Sequence, residues 1–198
     1  MIGHTDSAIA GVPNWIVAEM PPGYQTRLLE IERLSADLKA MDDIACVLWE
    51  ADGPLRDAVC RLFAALKCEV DPTFSDTGEI AVGLGGSRRL LLVISGADSP
   101  IEKRNEDLAH SFQAVQFAGP SDRVVLVVNT NSATPPTDRP DPILPDALAV
   151  LQKIGVDVLT TVTLFRLWRL SLDDQQKARR ELDRLHAQDG GQFLLPAR

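Results

Sequence analysis

The spacing of apolar positions changes along the chain, and each change marks an element. From Tyr24 to Glu50 there is neither Gly nor Pro, and Ile31, Leu34, Leu38, Met41, Ala45 and Leu48 recur at alternating steps of three and four. That period predicts one long helix over 24–50 with a heptad-like seam, shorter than the about three to four heptads that secure a coiled coil. The seam suits packing on the chain's own domain or self-association equally. Asp52-Gly53-Pro54 interrupts it, and Pro54 is placed for the first turn of a second helix with the stripe Leu55, Val59, Leu62, Phe63 and Leu66. Stretches 68–71, 79–84 and 89–95 are rich in Val, Ile and Leu and read as strands, the last two joined by a hairpin at Gly85-Gly86-Ser87. A helix over 99–117 follows, with Ile101, Leu108, Phe112 and Val115 inward and Gly119-Pro120 closing it.

Val124 to Val128 is an unbroken apolar run, the pattern of a strand buried on both faces, and it belongs at the centre of a parallel arrangement. Pro135, Pro136, Pro140, Pro142 and Pro145 make 129–145 a stiff, extended loop. A helix over 147–154, a strand over 156–159 and a helix over 163–170 come next. The charged segment from 171 to about 188 predicts a solvated helix that docks through Leu172, Ala178, Leu182 and Leu185. The order implies a three-layer α/β/α domain around a central mixed sheet. Its parts are an arm over 1–23 holding the cluster Trp15-Ile16-Val17, the long helix over 24–50, a core domain over 51–170, and a C-terminal helix and tail over 171–198.

A chain of 198 residues with 45% hydrophobic residues has room for one sizeable core. Lys plus Arg number 20 against 28 Asp plus Glu, a net charge of -8 whose mean field repels polyanions. The basic clusters Arg88-Arg89, Lys103-Arg104, Arg166 with Arg169, and Lys177 to Arg180 each sit beside carboxylates or apolar residues, which argues against a nucleic-acid partner. Cys46, Cys60 and Cys68 form no even set and no Cys-x-x-Cys pair, so packed thiols in a reducing compartment are expected. No basic region precedes a long apolar run, and no stretch reaches the ~18 apolar residues of a membrane span, so the expectation is a cytoplasmic chain with no membrane partner.

The histidines His4, His110 and His186 lack a ligand-spaced companion, no Gly-x-Ser-x-Gly elbow occurs, and Gly83-Leu84-Gly85-Gly86 leads into a strand and not a helix. Asn129, Thr130, Asn131, Thr160, Thr161 and Thr163 fall at the C-terminal ends of two strands expected to be neighbours, where open α/β sheets place a ligand crevice. Asn129, Thr160 and Thr161 are the candidate ligand contacts there.

Several strings occur in a telling order: Gly53-Pro54-Leu55-Arg56-Asp57-Ala58-Val59 opening a helix, Arg89-Leu90-Leu91-Leu92-Val93-Ile94-Ser95-Gly96 on the third strand, Val124 to Asn129 on the fourth, and Val158-Leu159-Thr160-Thr161-Val162-Thr163-Leu164-Phe165 near the end. Over about Leu48 to Leu170 this resembles the PD-(D/E)XK superfamily, the restriction-endonuclease-like fold, with the last string similar to bacterial members. In active members an acid at the second strand and a Glu-x-Lys on the third hold magnesium and a water. Carboxylates suit a hard cation, and the lysine orients or helps deprotonate the water.

On this chain the resemblance puts the second-strand acid at Glu79, or Asp76 if the alignment slips, and an accessory acid at Asp57. The glutamate and lysine of the third strand fall on Val93 and Ser95, which neither ligate a metal nor supply a cation. The implied function is a non-catalytic nuclease-fold module acting as a protein-interaction or regulatory scaffold, with no cofactor and no catalytic residue. A protein partner or a second copy would meet it through residues 24–50. The alternative is a nuclease with a rearranged site, drawing on Asp57, Glu79 and a migrated Lys103, with Asp98 and Glu102 nearby, and requiring Mg2+. A further alternative is a small-ligand or nucleotide sensor at the strand-end cluster.

Overall fold

A computed structural model of the chain describes residues 15–75 and 78–196. The chain divides into two compact units, Met1–Asp42 and Asp43–Arg198. In the first, α1 (Ile16–Glu19) precedes α2 (Tyr24–Ala45), which runs on across the boundary and has no buried residue. Residues 1–14 of the expected arm, including His4, lie outside the described residues. The helix expected over 24–50 ends at Ala45 and gives way to a 3-10 turn, Cys46–Leu48.

The second unit continues with α3 (Asp52–Ala65), β1 (Glu69–Asp71), β2 (Ile80–Gly83), β3 (Arg89–Ala97), α4 (Glu106–Phe117), β4 (Asp122–Thr130), α5 (Pro145–Lys153), β5 (Asp157–Thr160), α6 (Thr161–Asp173), α7 (Gln175–Ala187) and β6 (Gly191–Gln192). The strands lie side by side in the order β1-β2-β3-β4-β5-β6. The pairs β1–β2 and β2–β3 are antiparallel, and β3–β4, β4–β5 and β5–β6 are parallel. The domain is therefore α/β with a mixed sheet, and β4 sits inside it as its unbroken apolar run predicts.

Alternation along the strands builds the layers. Leu90, Leu92, Val125, Val127 and Leu159 meet Leu55, Leu62 and Phe63 of α3, Leu164 and Leu167 of α6, and Leu182 and Leu185 of α7. Leu91, Val93, Val124, Leu126, Val128 and Val158 meet Leu108 and Ala114 of α4 and Ala147 and Leu151 of α5. Residues one apart on a strand point to opposite faces, so the two sets fill separate cores on either side of one sheet. Trp168 is buried within the first core with its ring beside that of Phe165, and Phe193, just after β6, is fully buried there as well. The two-residue strand β6 has no signal in the apolar pattern. Burial pushes the thiols of Cys60 and Cys68 up from their ordinary range, as suits packed and unreactive cysteines.

Four expectations need correction. The charged segment expected as one helix from 171 is divided at Asp174 between α6 and α7, and Leu172, expected to dock, is 60% exposed. The helix expected from 99 begins at Glu106, because the Asn105 side chain accepts from Asp107 N at 2.8 Å and caps it. Ile101 is instead fully buried through a parallel bridge to Ile143 in the proline-rich loop. Phe112, expected inward, is 51% exposed. The small residues Ser111 and Ala114 face the sheet in its place, so α4 packs closely and the ring turns to the rim. The strand expected over 89–95 runs on through Gly96 to Ala97, which pairs with Thr130. A Cβ at Gly96 would stand 3.4 Å from both Ala51 Cα and Leu55 Cδ2, in van der Waals contact with the start of α3, which lies against the strand here.

Asp157 opens β5 with a fully buried side chain. One carboxylate oxygen accepts from Gly190 N at 3.0 Å and the other has no hydrogen-bond partner, while Arg123 Nε stands 4.0 Å away. Burial pushes its carboxyl up to about 7, although Arg123 pulls in the other direction. The folded state then binds a proton that the unfolded chain has released, so this group's contribution to stability falls as pH rises from about 4 to about 7. Asp157→Asn should flatten that dependence. Urea midpoints measured at pH 5 and pH 8 are expected to differ less in the variant than in the native chain.

Candidate functional site

A cleft of about 280 Å³ opens where the start of β2, the end of β3, α3 and α4 meet. Antiparallel register builds it: Ile80 pairs with Leu92, and one step further Glu79 comes opposite Val93 on the same face of the sheet. Both residues line the cleft. Glu79 is buried, its carboxylate accepts from Ser75 Oγ, and its backbone N–H donates to the same oxygen at 3.0 Å. Ser75 thus holds the acid in place at the strand's entry.

Ser95, two residues along β3 on Val93's face, is 2% exposed. Its hydroxyl donates to Asp107 Oδ2 at 2.5 Å. Asp107 lies in the first turn of α4, where the unsatisfied N–H groups of the helix favour a negative charge. Arg56, on α3, donates to the carbonyls of Pro72 and Gly78 and so ties the segment ahead of β2 to that helix. His110 and Asp52 complete the polar lining. Asp52 has φ +49, a left-handed conformation rare outside glycine.

The resemblance's positions are thus partly brought together. Glu79 and Val93 share the cleft, and Ser95 stands behind it on Asp107. Asp57 is exposed on α3 and outside the lining, where its neighbour Arg56 takes the place facing the cleft. Lys103, Asp98 and Glu102 are all exposed, and none of them lines it. Asp76 lies outside the described residues. Among those described, no group of three or more His, Cys, Asp or Glu side chains is arranged to hold a metal ion.

A second hollow, about 300 Å³, lies beyond the C-terminal ends of β4 and β5, where Thr130, Thr160, Thr161 and Thr163 line it with Arg139 and Arg166. This is the crevice expected of a parallel sheet. Its side chains are engaged, however. Asn129, 1% exposed, donates through Nδ2 to Glu50 O at 2.8 Å, while its Oδ1 accepts from Thr161 Oγ1 at 2.8 Å and Arg139 Nη1 at 2.9 Å. Thr160 caps α6 by accepting from Thr163 N at 3.0 Å. Arg139 also donates to the carbonyls of Leu48, Ser132 and Thr134, and burial lowers its pKa from the ordinary arginine value.

Arg56, Asp107 and Arg139 are not among the candidate residues the sequence offers, and His110 enters there only as a histidine without a ligand-spaced companion. An arginine amid five prolines was a usable sign, because a stiff loop packed on a domain needs an anchor. Nothing in the sequence pairs Asp107 with Ser95. A third groove, about 400 Å³, gathers Arg166 and Arg169 of α6 with Lys177 of α7, two basic clusters that are separate in sequence.

The chain matches no protein-family model, no curated protein and no solved structure. Its chemistry therefore rests on its own side chains.

Asn129→Ala removes three hydrogen bonds, one fully buried and two partly so, and takes from Glu50 O and Thr161 Oγ1 the partner they have here. It is expected to lower the unfolding free energy by about 2–4 kcal/mol, measurable by urea denaturation.

Proposed function

We propose that this chain is a nuclease-type fold of the PD-(D/E)XK kind whose cleft no longer performs metal chemistry, and that it works as a protein-interaction or regulatory module. The observation that carries the reading is the pair Glu79 and Val93 in one cleft. The acid stands at the entry of β2, as the resemblance requires of the second-strand carboxylate. Opposite it, where a metal-sharing carboxylate would belong, is an isopropyl group.

Hard divalent cations need several oxygen ligands in a fixed geometry. Of the three carboxylates that line the cleft, Glu79 is held by Ser75, Asp107 by Ser95 and Asp52 is exposed, and among the described residues no three such groups are arranged to hold a metal ion. A lysine at position 95 would point toward Asp107. In its place a hydroxyl has satisfied that carboxylate, and the two now join β3 to α4. The guanidinium at the cleft is that of Arg56, held by two carbonyls, and the His110 imidazole lines the cleft beside it. An always-charged guanidinium cannot take up a proton from an attacking water. Lys103, exposed and apart from the cleft, gives a rearranged site little support.

A small-ligand role has one observation in its favour, the threonine-lined crevice at the ends of β4 and β5 with Arg166 at its edge. A rise in melting temperature with a nucleotide, lost in Arg166→Ala, would favour that role, because a ligand bound only to the folded state stabilises it.

The main reading is tested by calorimetric titration with Mn2+ and by cleavage assays on single- and double-stranded DNA. The native chain should give neither saturable heat nor cleavage. Val93→Glu combined with Ser95→Lys should gain Mn2+ binding, with the new lysine beside Asp107, and that binding should vanish when Glu79→Ala is added. Cleavage by the native chain that is lost in Glu79→Ala would overturn the reading.

A further inference from the structure

The helix α2 presents an apolar stripe to solvent over its whole middle. Ile31, Leu34, Leu38 and Met41 are 60%, 47%, 63% and 48% exposed, and no residue of the helix is buried. Four large side chains in an a/d pattern make a seam of the kind that pairs with another helix. The charges beside it decide which helix that can be.

With Ile31 and Leu38 at position a, the flanking g positions are Glu30 and Asp37, and the e positions are Ser35 and Asp42. Every charge bordering the seam is therefore acidic. The basic residues Arg33 and Lys39 fall at the outer b and c positions, and Arg33 bonds back to Asp37 at 2.9 Å in an exposed pair. Such pairs are weak and do not remove the carboxylate from the seam's edge.

Self-pairing meets repulsion in either direction. In a parallel pair each g residue faces the e residue five positions later, so Asp37 meets the second copy's Asp42, and this occurs twice. Arg27, at the preceding d position, would also face its own copy. In an antiparallel pair centred on the seam, Asp37 meets Asp37 of the second copy. A helix of 22 residues has few heptads to offset these contacts.

We propose that this face of α2 docks an amphipathic helix of a different protein, one carrying Lys or Arg beside its own apolar stripe, and not a second copy of this chain. The inference rests on the interaction-module reading and supplies its partner's chemistry. The net charge of -8 acts in the same sense, steering a basic segment toward the chain and a second copy away from it.

The test uses the full chain and two synthetic helical peptides with one shared Leu/Ile seam, bearing Lys in one and Glu in the other at every flanking position. Sedimentation equilibrium should find a monomer. Fluorescence anisotropy should find the Lys peptide binding about tenfold tighter or more at low salt, with the gap narrowing as salt screens the flanks. Asp37→Lys combined with Asp42→Lys, both substitutions at exposed positions, should reverse the preference. A native dimer that Leu34→Asp dissociates would overturn the proposal, as would equal affinity for the two peptides or binding of neither. DNA cleavage by the native chain would sink the proposed function while leaving these measurements intact, so the two failures are distinguishable.

Discussion

The fold depends on a strand that can face water on neither side. Val124 to Val128 of β4 are buried on both faces of the sheet, so each face requires its own cover. The α3, α6 and α7 side supplies one layer, and α4 with α5 the other. With β4 fixed between β3 and β5, parallel register brings the C-terminal ends of these strands to one edge of the domain. Both polar hollows lie at that edge. The cleft is on the β3 side, where antiparallel β2 begins, and the threonine-lined crevice is beyond β4 and β5. Asn129, paired in register with Gly96, stands between them and holds Glu50, Arg139 and Thr161 together. A single amide thus joins the entry to α3, the proline-rich loop and the start of α6.

Legibility in the sequence followed the reach of each physical signal. The β4 run, the hairpin at Gly85 and Gly86, and the stripe of α3 are local patterns, and the structure contains all three. The failures came where distant residues outvoted local ones. Ile101 left the expected helix because Ile143, far along the chain, captured it in a bridge. Phe112 lost the inward position to Ser111 and Ala114 because close approach to the sheet rewards small residues, a preference that apolar periodicity does not register. In the cleft, Glu79 and Val93 were singled out through the family resemblance, and the antiparallel pairing of β2 with β3 brings them together. Arg56, Asp107 and His110 converge only through the packing of α3 and α4 on the sheet, and no spacing encodes that.

On the proposed reading the cleft is a structural joint and not a site held ready for a metal, and the contacts within it accord with that. Converging carboxylates repel one another, and burying them without a cation costs free energy that a folded chain must recover elsewhere. Val93 carries no such cost and adds an apolar side chain to the core that α4 covers. Ser95 supplies the hydroxyl proton that Asp107 needs, at the helix end where a carboxylate is already favoured. Arg56 spends its guanidinium on two carbonyls of the segment leading to β2. Glu79, Ser95, Asp107 and Arg56 therefore each have a partner within the chain. Sites kept for catalysis characteristically hold groups in unfavourable company until substrate or metal arrives. Among the described non-glycine residues that line the cleft, Asp52 is the one with a left-handed backbone, set where α3 begins against the end of β3.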